Sequence, residues 1–122
     1  MDQILNNKQS NKYDLEERCL KFARRVNAYV NKLSKTISNI ENGKQLVRSA
    51  GSVGANYIEA NESLSKKDFI MRAKISKKEA RESEFWLELS EPFGEFEKEK
   101  GELLQEVLEL RKILGAILEK SK

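Results

Sequence analysis

Residues 48–63 read RSAGSVGANYIEANES, and this stretch decides the fold. Its glycines first resemble a phosphate-binding loop, but such a loop follows a buried strand and ends in Gly-Lys-Ser or Gly-Lys-Thr, and this stretch has neither. Small and apolar residues recur instead at the three- and four-residue steps of a helix, at Leu46, Ala50, Val53, Tyr57, Ala60 and Leu64. The stretch therefore predicts a helix.

Two glycines inside this helix need a physical reason, because each costs about 1 kcal/mol relative to alanine. Gly51 and Gly54 make a nearly bare surface on which another backbone can approach closely. We expect a neighbouring helix to pack there. The small residues that complete this surface are Ser49, Ala50, Ser52 and Ala55.

The same periodicity predicts three more helices. The first begins at Asp14, where Glu17 completes a capping box. The third begins near Ser65, with Asp68 as the partner in a second box, and ends before Pro92. The fourth has a wide apolar face made of Leu103, Leu104, Val107, Leu110, Ile113, Leu114, Ile117 and Leu118. We expect an all-α fold, an up-down-up-down four-helix bundle over residues 13–122 that follows a flexible N-terminal tail of residues 1–12.

The amino-acid composition counts against several kinds of catalytic and metal-binding site. The chain has no histidine, which removes the commonest general base and the commonest transition-metal ligand. Its single cysteine, Cys19, lies on the apolar stripe of the first helix and is expected to be a buried hydrophobe. No leader-like segment and no apolar run long enough to span a bilayer is present. We expect a cytoplasmic protein without membrane contact, catalytic site, cofactor or metal.

Charge is unevenly distributed along the chain. Residues 1–81 carry 17 Lys and Arg against 9 Asp and Glu, whereas residues 82–122 carry 6 against 11. The asymmetry indicates either an anionic partner for the first part or two oppositely charged parts that face each other. Candidate nucleic-acid contacts fall within one arc of the third helix, at Lys66, Lys67, Lys74, Lys77, Lys78 and Arg81. A merely solvated or subunit-facing surface would also carry such lysines.

Two further groups of residues have alternative readings. Glutamates on facing helices can bridge metals, so Glu59 and Glu79 are candidates for a carboxylate metal site. Solvated or hydrogen-bonded glutamates are the simpler interpretation, and a polar cluster or subunit contact is expected at Asn56, Glu59 and Glu79. Phe85 and Trp86 are adjacent, so their side chains point about 100° apart and one narrow core cannot easily take both. A second buried surface, and hence self-association, would explain Trp86.

Several motifs together resemble the bacterial four-helix bundle proteins encoded in intervening sequences of large-subunit ribosomal RNA genes. The resemblance covers about residues 14–120 and is most specific between residues 43 and 89. A pattern of that family, small-Val/Ile-Gly/Ala-Ala/Ser-Asn-x-x-Glu, is present from Ser52 to Glu59. The entry to the third helix matches at Ser65, Asp68, Phe69 and Ile70, and the later matches are Lys78, Glu79, Ala80 and residues 84–87.

The resemblance implies a bundle protomer that assembles into a ring-like homopentamer. It also implies a relationship to the accessory variability protein of diversity-generating retroelements, a basic pentamer that binds reverse transcriptase and nucleic acid. We therefore expect a non-catalytic oligomer that acts as an RNA-binding or scaffolding module, with itself and RNA or a nucleic-acid-processing protein as partners. The alternatives are an adaptor that binds only protein and a carboxylate metal enzyme.

Overall fold

The computed structural model describes residues 2–122, with side chains from residue 15 onward, and is all-α over that range. Four helices follow one another along the chain: α1 (Asp2–Asn31), α2 (Ile37–Asn61), α3 (Lys66–Leu89) and α4 (Glu97–Lys120). A short 3-10 turn, Gly94–Phe96, precedes α4. The predicted all-α class and four helices are confirmed.

Two helix starts are fixed by hydroxyl caps. The backbone amide of Asp68 donates to Ser65 Oγ at 3.1 Å, which confirms the predicted start of α3. The amide of Asn39 donates to Thr36 Oγ1 at 3.1 Å, so α2 begins nine residues before the first position of its predicted apolar repeat, Leu46.

The predicted start of α1 at Asp14 is wrong, because the helical backbone begins at Asp2. A capping residue in the middle of a helix has no free amides to bind, so the Asp14 and Glu17 pattern does not mark an end. The Asp14 side chain is not among those that the structure describes, which begin at residue 15. The division into a flexible tail of residues 1–12 and a bundle domain stays a prediction.

The helices pack as antiparallel neighbours in the order α1, α2, α3, α4 and back to α1. Their inward faces form one hydrophobic core, with Phe22, Tyr29 and Leu46 among its largest side chains. The remaining fully buried members with large side chains are Val26, Val53, Leu87, Leu103, Val107, Leu110 and Leu114. The apolar stripes read from the sequence are therefore the core faces, and Cys19 is fully buried as expected. Leu64 is the exception: its predicted place in the α2 stripe is wrong, because α2 ends at Asn61 and the Leu64 side chain is fully exposed.

The contact between α2 and α3 is the most extensive in the bundle, and serines make it close. Ser76 Oγ donates to the carbonyl of Val53 at 2.6 Å. About two turns further along α3, Ser83 Oγ donates to Ser49 Oγ at 2.9 Å, and Ser49 Oγ donates to the carbonyl of Leu46 on its own helix. Because a small hydroxyl lets two backbones approach and still satisfies its hydrogen bond, these contacts set the register between the two helices.

The two glycines of the opening stretch have different surroundings. A Cβ added at Gly54 would stand 3.0 Å from Cys19 Cβ, so Gly54 is where α1 approaches α2, as predicted. A Cβ added at Gly51 would meet nothing within 4 Å, so among the described residues no helix of the same chain packs on it. The predicted close approach is confirmed at Gly54 and is wrong within the protomer at Gly51.

Asn39 joins the two connections at one end of the bundle. Its Nδ2 donates to the carbonyls of Ser34 and Glu91, at 3.2 and 3.1 Å, and its Oδ1 accepts from the Glu91 amide at 3.1 Å. Nearby, the Tyr29 hydroxyl and Ser90 Oγ are 2.6 Å apart. These side chains replace the partners that backbone groups lose where helices end.

Replacing each glycine by alanine separates their roles. Gly51→Ala should raise the free energy of unfolding by up to about 1 kcal/mol, because an exposed helical site gains propensity. Gly54→Ala should lower it, because overpacking against the buried Cys19 costs roughly 1–3 kcal/mol and exceeds that gain. Urea denaturation followed by circular dichroism measures both, and equal stabilisation by the two variants would contradict this account.

Candidate nucleic-acid interface

Six cations occupy one outward face of α3, and we call them the lysine face. All six side chains are exposed, as the sequence predicts. At 100° per residue, the six side chains lie within an arc of about 120° around the helix axis. The first and the last are about 22 Å apart along that axis. The members of the lysine face are Lys66, Lys67, Lys74, Lys77, Lys78 and Arg81.

The five lysines of this face have no acidic partner among the side chains of residues 15–122. Arg81 differs, because its guanidinium lies 3.3 Å from a carboxylate oxygen of Glu84, one turn along α3. Glu84 is also held by Arg111 of α4 at 2.7 Å. The lysine amines are thus the part of the face whose charge is not offset locally, and unpaired surface amines are suited to phosphate oxygens.

Other cations of the basic part of the chain are paired across the bundle. Arg18 donates two hydrogen bonds to the Glu106 carboxylate, at 3.1 and 2.7 Å, and Arg25 contacts Glu102 at 2.7 Å. Lys32 contacts Glu99, further along the same line. We call these three ion pairs between α1 and α4 the ladder. They explain part of the charge asymmetry, because the basic first part of the chain faces the acidic last part within one protomer. The lysine face lies outside this ladder.

A polar cluster does form between α2 and α3, and of the predicted members only Glu79 belongs to it. Glu79 is buried, and one of its carboxylate oxygens lies 3.6 Å from Arg48 of α2. The same Arg48 lies 3.8 Å from Glu82. Burial, followed by the neighbouring Glu82 carboxyl, raises the pKa of Glu79, and Arg48 offsets part of that rise.

The other predicted members lie apart from this cluster. Asn56 donates to the carbonyl of Ser52 on its own helix at 2.9 Å, and Glu59 is exposed. Trp86 packs against the core, with its indole nitrogen buried and unpaired among the described residues. Phe85 is 52% exposed and meets the Trp86 ring edge to face at 5.0 Å. One core does not take both aromatics, as the sequence predicts.

The described residues offer little for covalent or metal chemistry. Within residues 15–122, no group of three or more His, Cys, Asp or Glu side chains is arranged to hold a metal ion, and the metal-site alternative at Glu59 and Glu79 is not proposed further. Burial raises the pKa of the Cys19 thiol to about 12, so it is protonated at neutral pH. None of the described helices has the length and apolar character needed to cross a membrane.

Sequence reasoning missed Arg48 and Asn39, and it considered Glu82 only as a carboxylate available to a metal site. Helical spacing does place Arg48 and Ser52 on one side of α2, and Glu79 and Glu82 on one side of α3, but it does not say which sides meet. The role of Asn39 could not be predicted from local sequence, because its partner Glu91 lies in an irregular segment far along the chain.

The raised pKa of Glu79 predicts a pH dependence of stability. The folded state holds the Glu79 proton more tightly than the unfolded state, so its contribution to stability is present below the ordinary value of 4.5 and is lost as pH rises through the folded pKa. Glu79→Gln removes that loss. Its free energy of unfolding, minus that of the parent, should therefore increase as pH rises above about 4.5.

Urea denaturation at several pH values between 4 and 8 measures this difference. Glu59→Gln is the matched control, because it removes an exposed carboxylate from α2 and leaves the cluster intact. A difference for Glu79→Gln that stays constant or falls over this range would show that the buried carboxyl does not titrate as described.

Comparison with known proteins agrees with this architecture. The family model of the 23S rRNA-intervening sequence proteins matches residues 11–116. The crystal structure of a protein of unknown function from the S23 ribosomal protein family of Bacteroides thetaiotaomicron VPI-5482 superposes with a TM-score of 0.73. It is 29% identical and covers 88% of this chain and 97% of its own. No curated protein sequence matches. The chain belongs to the 23S rRNA-intervening sequence protein family.

Proposed function

We propose that this chain is a non-catalytic RNA-binding module that holds a phosphate backbone along the lysine face of α3. The observation that carries the proposal is the set of five exposed lysines without an acidic partner among residues 15–122. Elsewhere on the bundle, Arg18, Arg25 and Lys32 are each paired with a glutamate of α4.

The physical basis is electrostatic. Each phosphate that a lysine neutralises releases condensed counterions, and this release drives binding without sequence recognition. The lysine face is straight and exposed along its length, because it lies on one side of a regular helix. It offers no groove for reading base edges, so binding should depend on charge and tolerate changes of sequence.

Self-association belongs to the same proposal. The homopentameric ring that the family resemblance implies would present five lysine faces to one RNA molecule. Several weak contacts on one assembly bind far more tightly than a single contact, because the second and later contacts are intramolecular. A modest net charge of +3 per chain is then sufficient for an effective polyanion-binding surface.

A protein-binding adaptor is the second candidate. It is favoured by exposed apolar side chains near the C-terminal end of α3, where Phe85 is 52%, Leu89 43% and Phe93 52% exposed. Exposed apolar patches mark contacts with proteins. An RNA experiment distinguishes the two, because an adaptor would show no salt-sensitive RNA binding.

Replacing three lysines should weaken RNA binding. The triple variant Lys66→Gln, Lys74→Gln and Lys77→Gln removes three cations from the lysine face. We expect its affinity for a structured RNA to fall at least tenfold at low salt, and the slope of log K against log salt to decrease by about one per lysine. Fluorescence anisotropy between 50 and 200 mM salt measures both quantities.

The matched control is Lys35→Gln, Lys98→Gln and Lys112→Gln. It changes the net charge equally, at exposed sites outside α3. The control should bind RNA nearly as well as the parent. The proposal fails if the parent shows no salt-sensitive binding, or if the two triple variants lose affinity equally.

A further inference from the structure

A cleft opens between α1 and α4 at the end of the bundle where α2 ends and α3 begins, and we call it the α1/α4 cleft. Its volume is about 1160 Å³. One wall belongs to α1, from Leu15 to Arg24, and the other to α4, from Ile113 to Lys120. Tyr57 of α2 and Phe69 of α3 also line it. Side chains of the two far helices are thus reached through the gap, so α1 and α4 stand apart at this end.

The ladder holds the same two helices together over the rest of their common length. Its pairs place three glutamates of α4, the last of them Glu106, opposite cations of α1. Further along α4, helical spacing continues that face with Ile113, Ile117 and Lys120. The side of α4 that faces α1 therefore changes from acidic to apolar and then to basic, and the ladder cannot continue into the cleft.

Cations stand on both walls of the α1/α4 cleft. Lys21 and Arg24 of α1 and Lys120 of α4 are exposed, and none of them has an acidic partner among the side chains of residues 15–122. Arg18 lines the cleft too, but the ladder already pairs it. Among the described lining residues, Glu17 is the only acid. No ion pair closes this cleft, and its field favours an anionic occupant.

The surface between these cations is apolar. Ile113 and Ile117 line the α4 wall, and Leu20, which is 52% exposed, lines the α1 wall. Aliphatic side chains offer no hydrogen bonds to phosphate or carboxylate oxygens, which lose free energy when they leave water without partners. An occupant that uses the whole cleft therefore has an apolar centre with anions on either side.

The dimensions of the cleft fit a short helix. At 1.5 Å per residue, the α1 wall extends about 14 Å and the α4 wall about 10 Å, which corresponds to roughly two to three helical turns. A helix of that length can anchor through side chains at i, i+4 and i+7. Leu20 and Ala116 are exposed lining residues, so the cleft is open to solvent. A single acyl chain would leave much of its apolar lining in water, whereas an amphipathic helix would cover it.

We propose that the α1/α4 cleft binds an acidic amphipathic helix of a partner protein. The apolar stripe of that helix lies against Leu20 and Ile117. Acidic residues beside the stripe contact Lys21 on one wall and Lys120 on the other. The cleft shares no residue with the lysine face, so the inference does not rest on RNA binding.

A labelled peptide tests the proposal on the full chain. The probe is a fluorescein-labelled peptide of about sixteen residues, long enough to form a helix, with leucines at i, i+4 and i+7, glutamates beside them and alanines elsewhere. We expect saturable binding in fluorescence anisotropy. A peptide with the same residues but no leucine stripe should bind at least tenfold more weakly, and a peptide with lysine in place of glutamate should not bind. Equal affinity for all three, or no saturable binding of the first, would overturn the proposal.

Charge reversal on the two walls locates the binding site. The double variant Lys21→Glu and Lys120→Glu should bind the acidic peptide at least tenfold more weakly and gain affinity for the lysine peptide. The matched control, Lys98→Glu and Lys112→Glu, changes the net charge equally at exposed sites outside the cleft and should bind like the parent. Equal losses in both double variants contradict the assignment.

The apolar part of the site has its own variant. Leu20→Gln removes a half-exposed apolar side chain and leaves every charge in place, so it should weaken binding of the acidic peptide severalfold. Circular dichroism of each variant verifies that the helices are intact. Unchanged affinity in Leu20→Gln would show that the peptide is held by charge alone and would contradict the proposed amphipathic occupant.

The triple variant of the lysine face separates this site from RNA binding. It keeps all residues of the α1/α4 cleft, so it should bind the acidic peptide with the affinity of the parent whether or not the parent binds RNA. Structured RNA should not displace the peptide from this variant. Displacement at micromolar concentrations by RNA, or by the fatty acid oleate, would assign the cleft to a nucleic acid or a lipid and overturn the proposal.

Discussion

The hydrogen bonds between serines of α2 and α3 are the interaction on which the rest of the structure depends. Ser76 binds the backbone of α2 and Ser83 binds Ser49, so the two helices lie close and cannot slide. Their inward residues then meet α1 and α4 in one core. Their outward residues acquire fixed relative heights, and the lysine face on α3 points away from the core. A leucine at any of these serines would force the helices apart and change every one of these relations.

The charge of the chain is used in two different ways. Along α1, cations stand opposite glutamates of α4, where each exposed pair contributes little on its own but favours the correct helix as neighbour. Along α3, lysines lack such partners among the described residues. Two segments of similar basic composition thus have different physical roles, and the difference is set by the neighbouring helix rather than by the segments themselves.

Periodicity was sufficient to predict the four helices, the core face of each and the cap at Ser65, because these depend on local spacing. It failed at Asp14, where a local cap pattern is overridden by helical backbone on both sides. It also could not distinguish Gly51 from Gly54, since both fit a close approach and only the position of α1 decides between them. The lysine face was predicted from the sequence, whereas the absence of acidic partners among the described residues depends on which helices are neighbours.

The contact between Gly54 and Cys19 gives the protein a native reporter of its own motion. The only thiol of the chain is fully buried beneath α2 and protonated at neutral pH, so a thiol reagent reaches it only when α1 and α2 separate. The rate of alkylation therefore measures how often this seam opens, without any label or substitution. Comparing that rate with the rate of global unfolding would show whether α1 detaches as a unit while the other three helices stay together.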